Sequence, residues 1–223
     1  MEFQELDSDQ AREAINTQQR YGALRQARRR AEAYRGSMSF AERAGAEYLL
    51  RDYYDPVTGV RKQKSLGRRS ADTEAVASEF AKGKKDAGER LKEAERVLRR
   101  QAGVNKALKL GRMPEIGAKI IRATDAAGLL GQGLKVIGTN ALFAYEAAAG
   151  VHLGPEVLTT EDIDILFDAR VKLRVTPEED VPERTLLGLL KKIDRSFEKS
   201  GADFQAMNAS GYLVDLVRDS RSR

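Results

Sequence analysis

The segment EDIDILF, residues 161–167, places two aspartates one residue apart inside an apolar run. A short run rich in Ile, Leu and Phe predicts a buried β-strand. Side chains two residues apart in a strand point to the same face, so Asp162 and Asp164 project together while Ile163 and Ile165 face the other way. Two like charges in an apolar setting cost free energy unless a cation or a proton holds them. The fold must therefore supply a partner for this pair.

A third acid stands in a similar context near the end of the chain. Asp215 lies in YLVDLV, a strand-like run in which Leu213, Asp215 and Val217 share one face. If this strand neighbours the first, three carboxylates converge on an oxygen-rich site of the kind that Mg²⁺ or Mn²⁺ prefers. Two readings without a metal stay open: a solvated pair of acids at a strand edge, and a salt bridge from Asp215 to a neighbour such as Arg218.

A glycine step precedes the aspartate strand. The apolar run 134–137 leads into Gly138-Thr139, and the Ala-rich stretch 139–149 predicts a helix. A strand that ends in glycine before a helix lets backbone N–H groups approach a phosphate closely. Thr139 would add a hydroxyl and Asn140 a further polar contact. An ordinary strand-to-helix turn is the alternative.

Taken together, VIGTNAL followed by EDIDIL resembles the signature of the nucleotidyltransferase superfamily, which has the polymerase-beta-like fold. On this resemblance Gly138 and Thr139 match the phosphate-binding step. Asp162 and Asp164 match the paired metal ligands, and Asp215 matches the third. The segment AEYLLRDYYDPVTGVRKQKSLG also resembles a basic hairpin that precedes this core in a little-characterised bacterial nucleotidyltransferase-like family.

The resemblance implies a metal-dependent enzyme that transfers a nucleoside monophosphate from an NTP to an acceptor hydroxyl. Asp162 and Asp164 would hold two Mg²⁺ or Mn²⁺ ions. Asp215 would bind the catalytic ion and help to deprotonate the acceptor, while Gly138, Thr139 and Asn140 would seat the NTP. The resemblance covers roughly residues 134–220.

Three departures from the family pattern favour a rival interpretation. Thr139 replaces the usual second Gly or Ser, a loop lengthens the interval before Asp162, and the chain stops eight residues after Asp215. The missing helical region indicates either a core truncated at its C-terminus or N-terminal helices that replace it. The rival is a noncatalytic nucleic-acid-binding or regulatory protein on a degenerate nucleotidyltransferase fold.

The pattern along the chain predicts an α+β fold in two parts. Residues 1–130 form a helical region with a basic β-hairpin at 46–67, and residues 131–223 form a small mixed nucleotidyltransferase sheet with flanking helices. The other predicted elements are helices at 8–35, 70–111, 114–130 and 183–200 and strands at 134–137, 163–167 and 171–175, with paired strands in ADFQAM and GYLVDLV.

Charge distribution favours a polyanionic acceptor. The net charge is only +5, but the basic residues crowd into the first half of the chain. We expect Arg51, Arg61, Lys62 and Lys64 to border the active-site cleft and to contact acceptor phosphates, with RNA, particularly tRNA, favoured. A protein target, as for nucleotidyltransferase toxins, is the alternative. For RQARRR (25–30) a solvated helix face is the preferred interpretation.

Composition excludes several other classes of protein. The chain has no cysteine and one histidine, His152, so disulfides, cysteine metal sites and multi-histidine zinc sites are ruled out. No apolar stretch approaches the roughly 18 residues that a membrane span needs. We therefore expect a cytoplasmic protein with no membrane partner, whose oligomeric state the sequence does not predict.

Overall fold

The structure, a computed structural model, describes residues 2–55, 60–131, 133–167, 181–201 and 205–218. The five helices are α1 Ser8–Ala33, α2 Ala71–Ala107, α3 Glu115–Ala126, α4 Gly138–Ala149 and α5 Val181–Ile193. The ten strands are β1 Phe3–Glu5, β2 Ser37–Arg43, β3 Ala46–Tyr54, β4 Arg61–Arg68, β5 Leu134–Ile137, β6 Val151–Leu153, β7 Asp162–Phe167, β8 Glu198–Ser200, β9 Gln205–Met207 and β10 Leu213–Arg218. The predicted α+β class is confirmed. Within the described ranges, every helix is too short or too polar to cross a lipid bilayer.

The chain divides into two compact units. The core unit combines Met1–Ala11 with Gly111–Arg223, and the basic unit comprises Arg12–Leu110. The basic unit carries 24 Lys and Arg against 13 Asp and Glu, a net charge of +11, which leaves −6 on the core unit. The sequence predicts a boundary near residue 131, whereas the structure divides the chain near Gly111, because α3 packs against α5 of the core unit.

The basic unit contains a three-stranded antiparallel sheet in the order β2-β3-β4. Strands β3 and β4 form the predicted hairpin, and their pairing extends to Tyr54 and Arg61. Residues 56–59, between the two strands, lie outside the described ranges. The sequence did not predict β2. It joins β3 through Ala44-Gly45, whose φ angles of 51° and 74° are those of a tight two-residue hairpin turn.

Two helices complete the basic unit. Helix α2 begins with a capping box between Ser70 and Thr73. Helix α1 is capped by Asp7, since Asp7 Oδ1 accepts bonds from the amides of Asp9 and Gln10 at 2.9 and 2.8 Å. The helices run antiparallel, because Glu13 near the start of α1 bonds Gln101 near the end of α2 at 2.9 Å.

The core unit is built on a five-stranded mixed sheet in the order β5-β7-β10-β9-β8. The central pair, β7 and β10, is parallel, and every other pair is antiparallel. The predicted pairing of ADFQAM with GYLVDLV appears as β9 and β10. The main buried side chains come from β5, β7, β10, α3 and α5 and from Phe197, which precedes β8: Ile120, Leu134, Ile163, Ile165, Leu186, Leu190, Phe197, Val214 and Leu216.

One predicted helix ends early. Helix α5 stops at Ile193 instead of reaching Ser200, because Asp194 Oδ1 accepts bonds from the backbone and the hydroxyl of Ser196. A side chain that bonds its own backbone two residues ahead favours a turn over a further helical turn. Glu198–Ser200 then forms the edge strand β8. The strand predicted at 171–175 lies outside the described residues.

A buried ion pair fastens the start of the chain into the core unit. Strand β1 pairs with β6, and the amide of Leu153 in β6 donates to Glu146 Oε1 at 2.5 Å. Arg112 donates to the same Glu146 carboxylate and to the Leu153 carbonyl, the latter at 2.8 Å. Glu146 is only 6% exposed, so these hydrogen bonds replace the water that its carboxylate would otherwise contact.

Removal of this cation should destabilise the core unit. We expect Arg112→Ala to lower its free energy of unfolding by about 2 to 3 kcal/mol, because a buried carboxylate loses its partner. Hydrogen exchange at β5, β7 and β10 during urea unfolding of the full chain measures this change. Lys119→Ala, which breaks an exposed pair with Glu115, is the control and should cost less than about 1 kcal/mol. Equal effects would contradict the assigned role of Arg112.

Candidate active site

Strand β7 separates its apolar and acidic side chains. Ile163 and Ile165 are 0% and 2% exposed and pack in the core. Asp162 and Asp164 alternate with them and are half-buried. The strand thus places its two carboxylates on the face opposite the apolar core.

The neighbouring strand brings the third acid alongside. β10 runs parallel to β7 in a register that pairs Asp215 with Asp164 and Leu213 with Asp162. Residues paired directly across two strands point to the same face of the sheet. Asp215 and Asp164 are therefore side by side, with Asp162 one pleat away on the same face.

The electrostatics of the site are those of uncompensated like charges. Burial, followed by the charges of Asp162 and Asp215, raises the pKa of Asp164 above its usual range. Among the side chains that the structure describes, which do not include that of Arg218, no ion pair joins any of these three carboxylates to a Lys or Arg. The face is therefore predisposed to bind a cation or a proton.

Hydrogen bonds orient two of the carboxylates. The Thr160 hydroxyl donates to Asp162 Oδ1, and Gln205 Nε2 donates to Asp215 Oδ2 at 3.3 Å. Gln205 reaches Asp215 because the two residues are paired across β9 and β10. Sequence reasoning missed both donors. The spacing of Thr160 from Asp162 was a readable signal, whereas Gln205 becomes a neighbour only through strand pairing.

Gly138 sits against the acidic face. It adopts a φ of 62°, a left-handed conformation that favours glycine. A Cβ at this position would lie 2.2 Å from Asp164 Oδ2, so any side chain would collide with the carboxylate. Thr139 follows in the first turn of α4, which has no side-chain cap. The backbone N–H groups of that turn lack intrahelical partners and are suited to an anion.

Asn140 occupies a different place from the one that the sequence predicts. It is 2% exposed, and its Nδ2 donates to the backbone carbonyl of Asp162 at 2.6 Å. Its amide is thus turned into the protein, toward the aspartate strand. The predicted polar contact from Asn140 to the nucleotide does not agree with this position.

The predicted acceptor-binding residues lie in the basic unit, on β3 and β4. Arg61 donates to Asp52 at 2.9 Å, and Lys62 donates to Asp55 at 2.5 Å. The hydrogen bond from Arg61, with others from Ser37 and Gln63, lowers the pKa of Asp52 to about 2. The structure therefore engages two of the hairpin cations with acids of their own sheet.

The other two hairpin cations differ from each other. The Arg51 guanidinium lies 4.4 Å from the ring centre of Phe80 and donates to the carbonyl of Arg35 at 2.9 Å. Lys64, in contrast, is exposed on β4. Arg51 therefore contributes to the fold of the basic unit, whereas the Lys64 side chain is exposed to solvent.

The carboxylates show a partial fit to a metal. Among the described residues, no three acidic or histidine side chains are already spaced as the ligands of one ion. The three side chains nevertheless offer only oxygen atoms, which hard cations prefer as ligands. They lie on adjacent strands, and the charges of Asp162 and Asp215 act on Asp164.

Comparison with known proteins gives a match to a protein family. Residues 115–223 match a family model described as nucleotidyltransferase. The matched range begins with α3 and includes the glycine step and all three aspartates. Neither curated proteins nor solved structures give a match.

The raised pKa of Asp164 predicts how stability depends on pH. A raised folded-state pKa contributes stability below the unfolded value, about 4, that is lost as pH rises through the folded value. Asp164→Asn removes the charge, so we expect its Tm to exceed that of wild type at pH 7 in EDTA. The difference should shrink toward pH 4, which thermal unfolding followed by circular dichroism measures. A variant less stable than wild type at pH 7 would contradict the origin of this shift.

Proposed function

We propose that residues 115–223, which match the nucleotidyltransferase family model, form an enzyme that uses Mg²⁺ to transfer a nucleoside monophosphate from an NTP to an acceptor hydroxyl. In this reaction the acceptor oxygen forms a bond to the α-phosphorus. The bond from that phosphorus to the bridging oxygen breaks, and pyrophosphate leaves. The lack of cysteine fits a reducing compartment, and we place the reaction in the cytoplasm.

The three aspartates are proposed to hold the divalent ions. Asp162 and Asp164 share one face of β7, and Asp215 is paired with Asp164 across the parallel strands. Bound Mg²⁺ would neutralise phosphate charge and lower the pKa of the attacking hydroxyl. Asp215 would accept the hydroxyl proton at Oδ1, since Gln205 already occupies Oδ2.

The glycine step is proposed to seat the triphosphate. Gly138 lets the backbone of this turn lie directly against the Asp164 carboxylate, because a Cβ there would collide with it. The free N–H groups and the positive end of α4 would bind phosphate oxygens, with the Thr139 hydroxyl as a further donor. The juxtaposition of this turn with the aspartate face is the observation that carries the proposal.

Metal binding tests the proposal directly. We expect Asp164→Asn to weaken binding of Mn²⁺ and of Mn²⁺ with a non-hydrolysable NTP analogue at least 10-fold in isothermal titration calorimetry. The fall follows from loss of the central carboxylate. Glu198→Gln, which removes an exposed carboxylate from β8 of the same sheet, is the matched control and should bind as wild type. Equal Mn²⁺ affinity of the wild type and both variants would contradict the proposed metal site.

We propose RNA, with tRNA as the leading example, as the acceptor. The support is the net charge of +11 on the basic unit, which suits a ligand that is a string of phosphates. On α2, Lys85, Lys92 and Arg99 are exposed at spacings of seven residues, on the face opposite buried Ala87 and Gln101. Such a stripe can follow a phosphate backbone without reading its sequence.

The α2 stripe should matter more than the paired hairpin cations. We expect Lys85→Gln, Lys92→Gln and Arg99→Gln together to reduce the salt dependence of tRNA binding. The slope of log Kobs against log salt should fall by about 2 to 3, one phosphate contact per cation. Arg61→Gln with Lys62→Gln is the comparison and should change the slope less, because these cations already face acids. Fluorescence anisotropy with a labelled tRNA transcript at several KCl concentrations measures both.

Two outcomes would contradict the RNA proposal. One is an unchanged slope in the α2 triple variant. The other comes from supplying α-labelled NTP with total cellular RNA and cell extract together. Label that appears only in protein would identify a protein hydroxyl as the acceptor.

A further inference from the structure

The backbone carbonyl of Asp162 lies beyond the point where β5 can donate hydrogen bonds to β7. The amide of Leu213 in β10 donates to the carbonyl of Glu161 at 3.2 Å, so that carbonyl points toward β10. Successive carbonyls in a strand point to opposite sides, and the Asp162 carbonyl therefore points toward the β5 side. β5, however, ends at Ile137, which is paired with Asp164. No backbone N–H group of β5 is therefore in place to donate to the Asp162 carbonyl.

Two side chains take the place of the missing strand. Asn140 Nδ2 donates to the Asp162 carbonyl at 2.6 Å, and the Tyr212 hydroxyl donates to the same oxygen at 3.2 Å. The Thr160 hydroxyl also lies 3.4 Å from this oxygen, but its closer hydrogen bond is to Asp162 Oδ1. Asn140 and Tyr212 are 2% and 7% exposed, so neither bond competes with bulk water. A carbonyl only accepts hydrogen bonds, which fixes the nitrogen of the Asn140 amide as the atom that faces it.

Both donors are locked by their surroundings. The Tyr212 amide donates to Asn208 Oδ1 at 2.8 Å, which anchors its backbone. On the other side, Gly117 of α3 approaches so closely that a Cβ would lie 2.9 Å from the Tyr212 hydroxyl and 3.3 Å from Asn140 Oδ1. The pair is thus enclosed between α3 and the sheet, and its geometry has little freedom.

We propose that Asn140 and Tyr212 are positioning residues that hold Asp162, and with it the acidic face of β7, in the geometry that binds the metal. This inference rests on the proposed function. Asn140 lies two residues after Gly138, so one side chain connects the phosphate-binding turn to the aspartate strand. Neither residue contacts the reacting atoms. Their effect passes through the backbone of a metal ligand.

The expected size of the effect follows from this indirect role. Groups that orient a metal ligand typically contribute 10- to 100-fold to metal affinity. Asn140→Ala removes the shorter bond and should weaken Mn²⁺ binding about 10- to 100-fold. Tyr212→Phe removes only the hydroxyl, keeps the ring, and should weaken it about 3- to 10-fold, at the lower end of such effects. Both bonds meet on one oxygen, so the double variant should show non-additive losses.

Two measurements on the full chain test the proposal. The first is the carbonyl ¹³C shift of Asp162, read without metal through the amide of Ile163 in a triple-resonance experiment. The second is the affinity for Mn²⁺ by calorimetry. Tyr145→Phe, at a 68% exposed tyrosine, is the control for Tyr212→Phe. Thr124→Val is the control for Asn140→Ala, since it removes a buried hydroxyl bonded within α3 at 3.0 Å.

The proposal expects an upfield carbonyl shift and weaker Mn²⁺ binding in both site variants, with neither change in the controls. An unmoved carbonyl would overturn the two contacts. A moved carbonyl with wild-type Mn²⁺ affinity, while Asp164→Asn abolishes binding, would overturn the positioning role and leave the proposed function intact. Wild-type protein that binds no Mn²⁺ would overturn the proposed function and the positioning role with it.

Discussion

Repulsion among three carboxylates is the constraint around which the core unit is arranged. The parallel pairing of β7 with β10 places Asp164 beside Asp215 and within reach of the charge of Asp162. Among the described side chains no Lys or Arg pairs with them, so the strands hold charge that their own surroundings do not offset. Acidic groups with perturbed pKa values of this kind cluster at functional sites, which supports the proposed role of the three aspartates in binding.

The rest of the core unit compensates for this arrangement. Buried Ile163 and Ile165 anchor β7 from the apolar side, and Val214 does the same for β10. Gly138 yields the space that any larger residue would take from Asp164. Asn140 and Tyr212 donate hydrogen bonds to the Asp162 carbonyl, which β5 does not reach. Apolar packing, a glycine and two buried donors thus act on the same six-residue strand.

The acidic strand could be predicted from the sequence because the pattern that identifies it lies within a few consecutive residues. The spacing of Asp162 and Asp164 and the glycine before α4 are readable in single short segments. The nearness of Asp215 is a different matter, since it depends on β10 inserting beside β7 rather than at an edge. The role of Asn140 was hidden for the same reason. Whether it faces a ligand or the protein depends on where β5 ends relative to β7.

Pairing between strands that are distant in the sequence also explains where the structure differs from the sequence predictions outside the site. Strand β1 pairs with β6 across almost 150 residues of sequence. The first residues therefore belong to the core unit, although they directly precede α1 in the chain. Alternation in β4 predicts a basic ribbon, but the acids that engage Arg61 and Lys62 come from β3 and its end. Basic residues on one strand indicate a polyanion surface only after the neighbouring strand is known.

The central claim is that Asp162, Asp164 and Asp215 together hold a divalent cation. Anomalous diffraction at the manganese edge, from crystals grown with Mn²⁺ and a non-hydrolysable NTP analogue, tests it most directly. We expect a peak about 2.0 to 2.3 Å from oxygens of Asp164 and at least one of its two neighbours, with the analogue's phosphates completing the coordination. Ordered analogue with no manganese peak on this face, or manganese bound only elsewhere, would contradict the account.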